Sequence, residues 1–393
     1  MQIAITGIGL VDSLGSDLSA NFDLIIKKHK NCSYITKYDP NKYPLINVKH
    51  AHQLVENYDH GLTKAELLHL DKVVVASYYA TNKALIDSGI NSSKAGVIYS
   101  TLNAGTDTVH TVHENILNNK KSTIKKTLSS IRDYITNFIS QKFQIQGINL
   151  CITSACASGI VALDYARKLL ESGIYDYMIV GGVDVMVDPF SMHLFNSIGA
   201  LDTSVNPQTL PFDNNRKGFV MGEAACCFIL EPLQKARHKK IYGIIKGVGL
   251  ANEAYHDTNM STEGIGARLA IDQALTESKL SKKDIDIINC HATGTFNGDI
   301  SEYNVLSDYF PGKYTAALKG NIGHTMGASS LTEIAYGLES LQRNILIPFV
   351  KLESPIGHNL EFPLEPEMIN MKYMLKNSFG FGGKSGCIII EKG

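Results

Sequence analysis

Apolar runs of strand length alternate with amphipathic stretches of helix length along this chain. The strand-like runs are rich in Val and Ile and are continuous, which is typical of strands covered on both faces. They are Ala95–Ser100, Ile148–Ile152, Tyr177–Val180, Ala224–Leu230, Ile285–Cys290 and Cys387–Ile390. The helical stretches are Lys72–Ser88, Ser158–Ser172 and Ser329–Arg343. This alternation predicts an α/β protein with helices packed on its sheets.

Two short patterns occur twice, and in the same order. The segment Ile5–Leu10 is similar to Ile245–Leu250, each with two glycines between apolar residues. Each part of the chain later has a glycine-rich segment followed by an apolar strand and a glutamate. The segment is Gly218–Gly222 in the first part and Gly380–Gly383 in the second. Chance recurrence of glycine and apolar strings is the alternative, but order and position both agree. We therefore predict two α/β halves of related design, residues 1–240 and 241–393.

The composition agrees with two globular units and excludes several classes of protein. A chain of 393 residues is too long for one ordinary single-core domain. Hydrophobic residues make up 44% and charged residues 19%, which excludes disordered, collagen-like and coiled-coil proteins. Lysine and arginine number 37 against 38 acidic residues, a formal net charge of −1, so nothing indicates nucleic-acid binding.

The sequence also predicts a cytoplasmic location. Met1–Thr6 has no basic leader ahead of an apolar stretch, so we expect no signal peptide. No apolar run approaches the roughly 18 residues that a membrane span needs, so we expect no membrane insertion. Seven cysteines without a C-x-x-C pair argue against disulfides and thiolate metal sites and favour a reducing compartment.

One cysteine stands where a predicted strand meets a predicted helix. Cys156 follows Ile148–Ile152 and precedes a helical apolar stripe that ends at Gly173. A helix N-terminus favours a thiolate, and a lowered thiol pKa is what a cysteine nucleophile needs. The local pattern alone also fits a small buried residue, as most free cysteines are. Four other cysteines in or beside apolar strands are interpreted as core residues: Cys151, Cys226, Cys227 and Cys290.

Two histidines stand among small residues at predicted strand exits. His291 follows Ile285–Cys290, and His324 lies in the glycine-rich run Lys319–Gly327 ahead of a helix. Ligands bind at this end of the strands in α/β sheets. Metal binding is the weaker interpretation, because the spacing is not that of a structural zinc site and no acidic residue adjoins either histidine. The run Phe379–Gly383 lacks the spacing of a phosphate loop, so we also expect no nucleotide.

Four ordered motifs resemble those of the β-ketoacyl-acyl carrier protein synthases of the elongating type. They are Ser154-Ala155-Cys156-Ala157-Ser158-Gly159, Asp213-x-x-Arg216-x-Gly218-Phe219-Val220-x-Gly222-Glu223, His291-x-Thr293-Gly294-Thr295-x-x-Gly298-Asp299 and Lys319-x-x-Ile322-Gly323-His324. The resemblance runs from Ile5 to Gly383 and implies the thiolase-like fold, two similar halves in a layered αβαβα arrangement. The repeats described above agree with it.

The resemblance also implies a reaction and roles for individual residues. Cys156 would carry an acyl chain as a thioester, and a malonyl group on a second carrier would lose carbon dioxide and attack that thioester. His291 and His324 would donate hydrogen bonds to the malonyl thioester oxygen, with Lys319 and Glu333 in positional and electrostatic roles. The backbone N–H groups of Cys156 and Phe381 would form an oxyanion hole, with Phe381 also in a gating loop. Implied acyl-pocket residues are Leu102, Phe195 and Phe379. No cofactor is implied beyond the phosphopantetheine of the carrier.

Within the superfamily the Cys–His–His set separates several alternatives. Initiating synthases have Asn at the position of His324, and thiolases have a second active-site cysteine. A non-condensing partner subunit, similar to a chain-length factor, usually lacks the nucleophile. Departures from the usual motifs make a dedicated secondary pathway plausible: Ala224-Ala225-Cys226 after Glu223, Ala292 after His291, and Lys384-Ser385 after the glycines.

The implied partners are an acyl carrier protein and a second subunit. The resemblance implies a homodimer, with a heterodimer containing a chain-length-factor-like subunit as the alternative. Carrier proteins are typically acidic, so a synthase needs a basic docking surface. The basic residues expected before Asp71 are few here. The substitute we predict is a loop with four lysines in seven residues, although a solvated loop is the usual fate of such a run: Lys120, Lys121, Lys125 and Lys126.

Overall fold

The computed structural model describes residues 1–90 and 94–393, which contain twelve strands and thirteen α-helices. The strands are β1 Ile3–Val11, β2 Ser33–Tyr34, β3 His50–Ala51, β4 Ala95–Ser100, β5 Asn149–Ile152, β6 Tyr177–Asp184, β7 Ala224–Pro232, β8 Gly243–Asn252, β9 Ile287–Asn289, β10 Tyr314–Ala316, β11 Tyr373–Gly380 and β12 Lys384–Lys392. The helices are α1 Leu18–Ile26, α2 Lys64–Leu67, α3 Lys72–Ser88, α4 Thr106–Leu117, α5 Ile124–Leu128, α6 Tyr134–Phe143, α7 Ser158–Glu171, α8 Pro189–Ser197, α9 Leu233–Ala236, α10 Ile265–Ser278, α11 Phe296–Tyr309, α12 Lys319–Ile322 and α13 Ser329–Arg343.

Ten strands form one sheet whose two halves have the same topology. The strand order is β10-β9-β11-β12-β8-β1-β7-β6-β4-β5. Outward from the centre, each half has two antiparallel pairings followed by two parallel ones. The halves meet where β1 pairs with β8 over three residues. The predicted duplication is therefore present in the fold, while the exact boundary at residue 240 stays a prediction.

Helices cover both faces of each half and give five layers. Helices α7 and α13 pack between the two half-sheets in one shared core, α3 and α6 cover the outer face of the first half, and α10 and α11 cover that of the second. Strand β7 shows the alternation, because Cys226, Phe228 and Leu230 face the central core while Cys227 and Ile229 face the outer one. Burial of both faces explains the continuous apolar runs of the sequence.

The repeated glycine pattern has a packing cause. A Cβ on Gly9 would lie 1.9 Å from the backbone oxygen of Ala80 in α3, and one on Gly249 would lie 1.9 Å from that of Ala270 in α10. No side chain fits at such a distance, so each half needs glycine where its first strand meets its outer helix. The sequence repeat therefore records the same helix-on-strand contact in both halves.

Most predicted elements are confirmed, and the differences have local causes. The helix over Lys72–Ser88 has the predicted ends. Strand β6 continues beyond Val180, because Gly181 leaves space for the Tyr99 ring, whose nearest atom would lie 2.0 Å from an added Cβ. Strand β9 is shorter than predicted, since the Asp286 carboxylate accepts backbone N–H bonds from Lys372 and Tyr373 at 2.7 and 2.8 Å.

Three of the four cysteines interpreted as core residues are buried, and one is not. Cys226, Cys227 and Cys290 are buried. Cys151 is half-buried, because β5 is an edge strand with one side unpaired. All seven cysteines lie in the described part of the chain and are free thiols.

Candidate active site

Cys156 lies in a sharp connection between β5 and α7. Ala155 before it has φ +49°, a left-handed conformation that is uncommon for a residue with a side chain. The connection is braced from inside, since the Ser158 hydroxyl accepts a hydrogen bond from the Ser154 N–H at 2.6 Å. The strained turn directs the Cys156 side chain toward the second half of the molecule.

The resting state of the Cys156 thiol differs from the sequence prediction. Burial raises its pKa to about 12, although Lys319 acts in the opposite direction. The lowered pKa expected at a helix N-terminus is therefore wrong for the protein without substrate, because desolvation of the thiolate outweighs the nearby positive groups. Cys156 lies just before the capping residue Ala157, ahead of the first helical turn. The sulfur is protonated at neutral pH until a reaction removes the proton.

Both histidines present the same ring nitrogen to the cavity. His324 Nε2 lies 3.2 Å from Cys156 Sγ, and its Nδ1 accepts the Met326 backbone N–H at 3.2 Å. His291 Nδ1 lies 3.4 Å from the ammonium nitrogen of Lys319. Because an ammonium group can only donate hydrogen bonds, His291 Nδ1 is the acceptor. With Nδ1 as acceptor in each ring, the proton of the neutral imidazole is on Nε2. Burial, together with Lys319, lowers the pKa of both histidines, which keeps them neutral.

A buried ion cluster holds this pair from behind. Lys319 donates at 2.5 Å to both the His291 carbonyl oxygen and the Glu333 carboxylate. Glu333 also pairs with Lys376 at 2.6 Å and accepts the Ser329 hydroxyl at 2.7 Å. Burial alone would raise the pKa of Glu333, but the two lysines outweigh burial and hold it below its usual value. Lys319, predicted from the resemblance, therefore contacts His291, and Glu333, predicted with it, pairs with Lys319.

The sequence analysis gave no role to the two acidic residues that shape the His291 loop, one of which, Asp299, stands in its third motif. Glu302 in α11 accepts the backbone N–H groups of His291 and Ala292 at 2.8 and 2.7 Å. Asp299, one turn earlier, accepts those of Gly294 and Phe212 at 2.9 and 2.7 Å. Two acidic residues three apart on a buried helix face are the signal that could have found them, since such groups need partners when buried.

One cavity of about 290 Å³ brings the predicted site residues together. Cys156, His291 and His324 line it, and so do the three predicted pocket residues Leu102, Phe195 and Phe379. Phe219 and Met326 are further apolar residues of the lining. The cavity therefore combines one thiol and two imidazole donors with an apolar compartment that suits a hydrocarbon chain.

Phe381 closes one side of the cavity from a glycine-rich turn. The backbone of Gly380 passes so close to Cys156 that an added Cβ would lie 3.0 Å from the Cys156 nitrogen. Gly382 and Gly383 have φ of +78° and +75°, and Gly382 donates its N–H to Asp257 at 2.7 Å. The Phe381 ring is 39% exposed and packs 6.3 Å from that of Phe195. Phe381 and Cys156 therefore both line the cavity, and the oxyanion hole expected from their N–H groups stays a prediction.

The four lysines predicted for docking lie apart from the cavity lining. Lys120 and Lys121 are exposed between α4 and α5, whereas Lys125 and Lys126 belong to α5, so the prediction of a loop is wrong for this second pair. A threonine at the start of α5 supplies the helix cap that the sequence analysis overlooked.

The donor atoms of Cys156, His291 and His324 lie within 4.8 Å of one another, the one such group found in residues 1–90 and 94–393. The set contains no carboxylate and faces the apolar cavity, and the expectation that the site works without a metal stays a prediction. None of the helices in those residues has the length and apolar character to cross a membrane.

Comparison with other proteins gives matches over the whole chain. Two family descriptions match, "Beta-ketoacyl synthase, N-terminal domain" over residues 1–236 and "Beta-ketoacyl synthase, C-terminal domain" over residues 242–353. A 3-oxoacyl-[acyl-carrier-protein] synthase 2 of Vibrio cholerae is 27% identical, covering 100% of this chain and 99% of the relative. The chloroplastic synthase II of Arabidopsis thaliana is 29% identical, covering 99% of this chain and 75% of the relative.

Solved structures give the same fold. The ishigamide ketosynthase/chain length factor has a TM-score of 0.90 at 22% identity, and a β-ketoacyl synthase from Burkholderia phymatum has 0.87 at 24%, each covering 100% of this chain and 99% of the other. A type II polyketide ketosynthase solved in complex with its acyl-carrier protein also has 0.87, at 22% identity. The duplicated, five-layered architecture is thus the thiolase-like fold, and the chain belongs to the β-ketoacyl synthase family of acyltransferases.

Proposed function

We propose that the protein is a 3-oxoacyl-acyl-carrier-protein synthase that extends a carrier-bound acyl chain with a malonyl unit. The observation that carries the proposal is the meeting of one thiol and two Nε2–H imidazoles at the inner surface of one apolar cavity. A protein that only bound a carrier would need the cavity, but it would not need a thiol together with two imidazole donors. The names of the relatives, 3-oxoacyl-acyl-carrier-protein synthases, support the same reaction.

The first half-reaction transfers the acyl chain to Cys156. The sulfur attacks the carrier thioester, and the tetrahedral oxyanion is stabilised by the N–H groups of Cys156 and Phe381. The thiol proton goes to the departing pantetheine sulfur. Because His324 Nε2 carries a proton, it donates to the Cys156 sulfur while negative charge develops there. This donor offsets the burial that raises the thiol pKa.

The second half-reaction forms the new carbon–carbon bond. The malonyl carboxylate leaves as carbon dioxide, and its electron pair forms an enolate whose oxygen accepts hydrogen bonds from His291 and His324 Nε2. The enolate carbon attacks the Cys156 thioester, the carbon–sulfur bond breaks, and the thiolate takes up a proton. Neutral donors suit this step, because the oxygen is charged only after decarboxylation and the donors therefore stabilise the transition state more than the substrate.

The proposal is tested by incubating the purified protein with acyl-carrier and malonyl-carrier protein and measuring both carbon dioxide and the 3-oxoacyl product. A condensing enzyme gives both in equal amounts. A non-condensing partner subunit gives neither, and a cysteine acyltransferase or hydrolase consumes the acyl carrier without releasing carbon dioxide. Either of the last two results would contradict the proposal.

We further propose that the protein is a dimer joined through the first half. Strand β5 is an edge strand. Helices α4, α5 and α8 of the first half expose large apolar side chains, which monomeric proteins rarely cluster. They are Val109, Ile116, Leu117, Ile124, Leu128, Phe190 and Leu194. Sedimentation equilibrium at micromolar concentration, alone and with a chain-length-factor-like subunit, distinguishes a homodimer from a heterodimer. A monomer in both experiments would overturn this assignment.

Charge reversal tests whether the lysines of α5 dock the carrier. Replacing Lys125 and Lys126 by Glu is expected to slow carrier association several-fold at low salt and much less at high salt, because exposed charges act within about 10 Å at 0.1 M. Acylation by a small soluble thioester should be unchanged. The matched control is Lys282→Glu with Lys283→Glu, an equal charge change at exposed positions of the second half. Equal association rates for the two double variants at low salt would reject α5 as the docking site.

A further inference from the structure

Lys376 is a second buried lysine behind the histidine pair, and the mechanism above does not use it. Its side chain is 0% exposed in β11, and it lies outside the lining of the cavity. An ordinary strand position facing a protein core would hold an apolar residue, because a buried ammonium is costly unless it is paired. The neighbours Met374 and Leu375 follow that rule. A lysine here therefore needs partners inside the core.

The partners of Lys376 are the groups that hold His291 and Lys319. Its ammonium donates to the Cys290 carbonyl oxygen at 3.1 Å and to that of Asn377 at 2.5 Å. It also pairs with the Glu333 Oε2 at 2.6 Å, the oxygen that Lys319 leaves free. Glu333 therefore lies between two lysines, and the peptide before His291 is tied to β11.

The contacts fix the His291 main chain from three directions. Lys319 binds the His291 carbonyl oxygen, Glu302 binds the His291 and Ala292 N–H groups, and Lys376 binds the Cys290 carbonyl oxygen. Ala292, with φ +37°, is in a strained conformation that needs such support. The ring of His291 can keep one orientation only while these bonds hold its backbone.

Lys376 adds a second positive group to a cluster that contains several acidic ones. Lys319 and Lys376 together hold the pKa of Glu333 below its usual value against the effect of burial, so removal of either lysine takes away part of that compensation. The charged and titratable groups around the histidines come from five elements and one connection: Lys319 of α12, Glu333 of α13, Glu302 and Asp299 of α11, Lys376 of β11, Asp184 of β6, and Cys156 ahead of α7.

We propose that Lys376 is a positioning residue for the decarboxylation step, acting through the Cys290–His291 main chain and through Glu333. This proposal rests on the function proposed above, but it concerns a residue that touches neither the substrate nor the reacting atoms. Its charge opposes protonation of both imidazoles, alongside burial and Lys319. Removing that charge raises the histidine pKa, so the neutral donors are lost at a higher pH than in the native protein.

The test compares Lys376→Met, which keeps length but not charge, with Lys376→Gln, which keeps an N–H donor for the Cys290 carbonyl. We expect malonyl-carrier decarboxylation to fall about 10- to 100-fold in the Met variant. Acylation of Cys156 should stay within about threefold of native. The acidic limb of the decarboxylation profile should move up by about 0.5–1 pH unit in both variants. Lys376→Arg, which keeps the charge, should restore the native profile. The exposed Lys372→Met is the control.

A second measurement does not depend on activity. The histidines of ¹³C-labelled protein are titrated by NMR, and in both variants the titration of His291 and His324 is expected to move to higher pH. Thermal unfolding identifies the folded variants, and the Gln variant carries the test if the Met variant does not fold. Unchanged histidine titration in a folded variant would overturn the proposal, whether or not the native protein condenses acyl chains. An inactive native protein with shifted histidines would overturn the proposed function alone.

Discussion

Replacing Cys156 by alanine is expected to abolish both acylation and condensation, a loss of about 10⁴-fold or more in turnover. Losses of this size follow when the nucleophile of a covalent mechanism is removed, because the remaining groups cannot form the intermediate. The alanine keeps the small volume of the side chain, so the fold should survive. Incubation with acyl-carrier protein, digestion and mass spectrometry of the peptides measures the thioester directly.

Cys151→Ala is the matched control for that experiment. Cys151 is also half-buried and lies five residues earlier, but it does not line the cavity, and burial raises its pKa to about 11. It should be neither acylated nor needed for turnover. A thioester on Cys151 or Cys290, with none on Cys156, would refute the assignment of the nucleophile.

Replacing either His291 or His324 by alanine is expected to lower malonyl-carrier decarboxylation by about 10²–10³-fold, the usual cost of one lost oxyanion donor. Acylation of Cys156 should persist in part, since neither ring is the nucleophile. His324→Gln tests the tautomer, because the glutamine amide nitrogen can reach the place of Nε2 but offers nothing to replace Nδ1. Partial recovery relative to alanine is expected.

The measurement is carbon dioxide release from malonyl-carrier, with Cys156 acylation followed separately in the same samples. His358→Ala provides a control at an exposed histidine of the second half that does not line the cavity. If an alanine variant at 291 or 324 releases carbon dioxide at the native rate, that imidazole does not stabilise the enolate. If acylation and decarboxylation fall together, the residue supports the whole site and not one step.

The sequence was enough for the architecture because its signals are local. Continuous Val and Ile runs predict buried strands, and the glycines at Gly9 and Gly249 mark the same contact in each half. The pairing of β1 with β8 was not predictable, since it joins residues about 240 positions apart through only three pairs. Register between distant strands is decided by packing, which a pattern along the chain does not contain.

The sequence identified residues that the structure brings together in one cavity, and Lys319 and Glu333 behind it, but it did not identify all of the supporting residues. Cys156, His291 and His324 stand in motifs of small residues, a pattern that reports space for a substrate. Lys376 and Glu302 are buried in segments that read as ordinary strand and helix, and only their contacts identify them. The direction of the Cys156 pKa shift was missed for a related reason, because desolvation depends on neighbours brought by the fold.

The shared central layer has a consequence for how this molecule tolerates change. Cys156 is carried by the first half and both histidines by the second, and α7 and α13 pack against each other between the half-sheets, with Gly159 directly against Leu331. The 3.2 Å between thiol and imidazole is therefore a measure of how closely the halves dock. A substitution deep in α7 or α13, far from any reacting atom, therefore lowers the catalytic rate before it lowers the stability of the fold. Substitutions on the outer faces of α3 or α10 do not change the distance between the thiol and the imidazole, and the active site tolerates them.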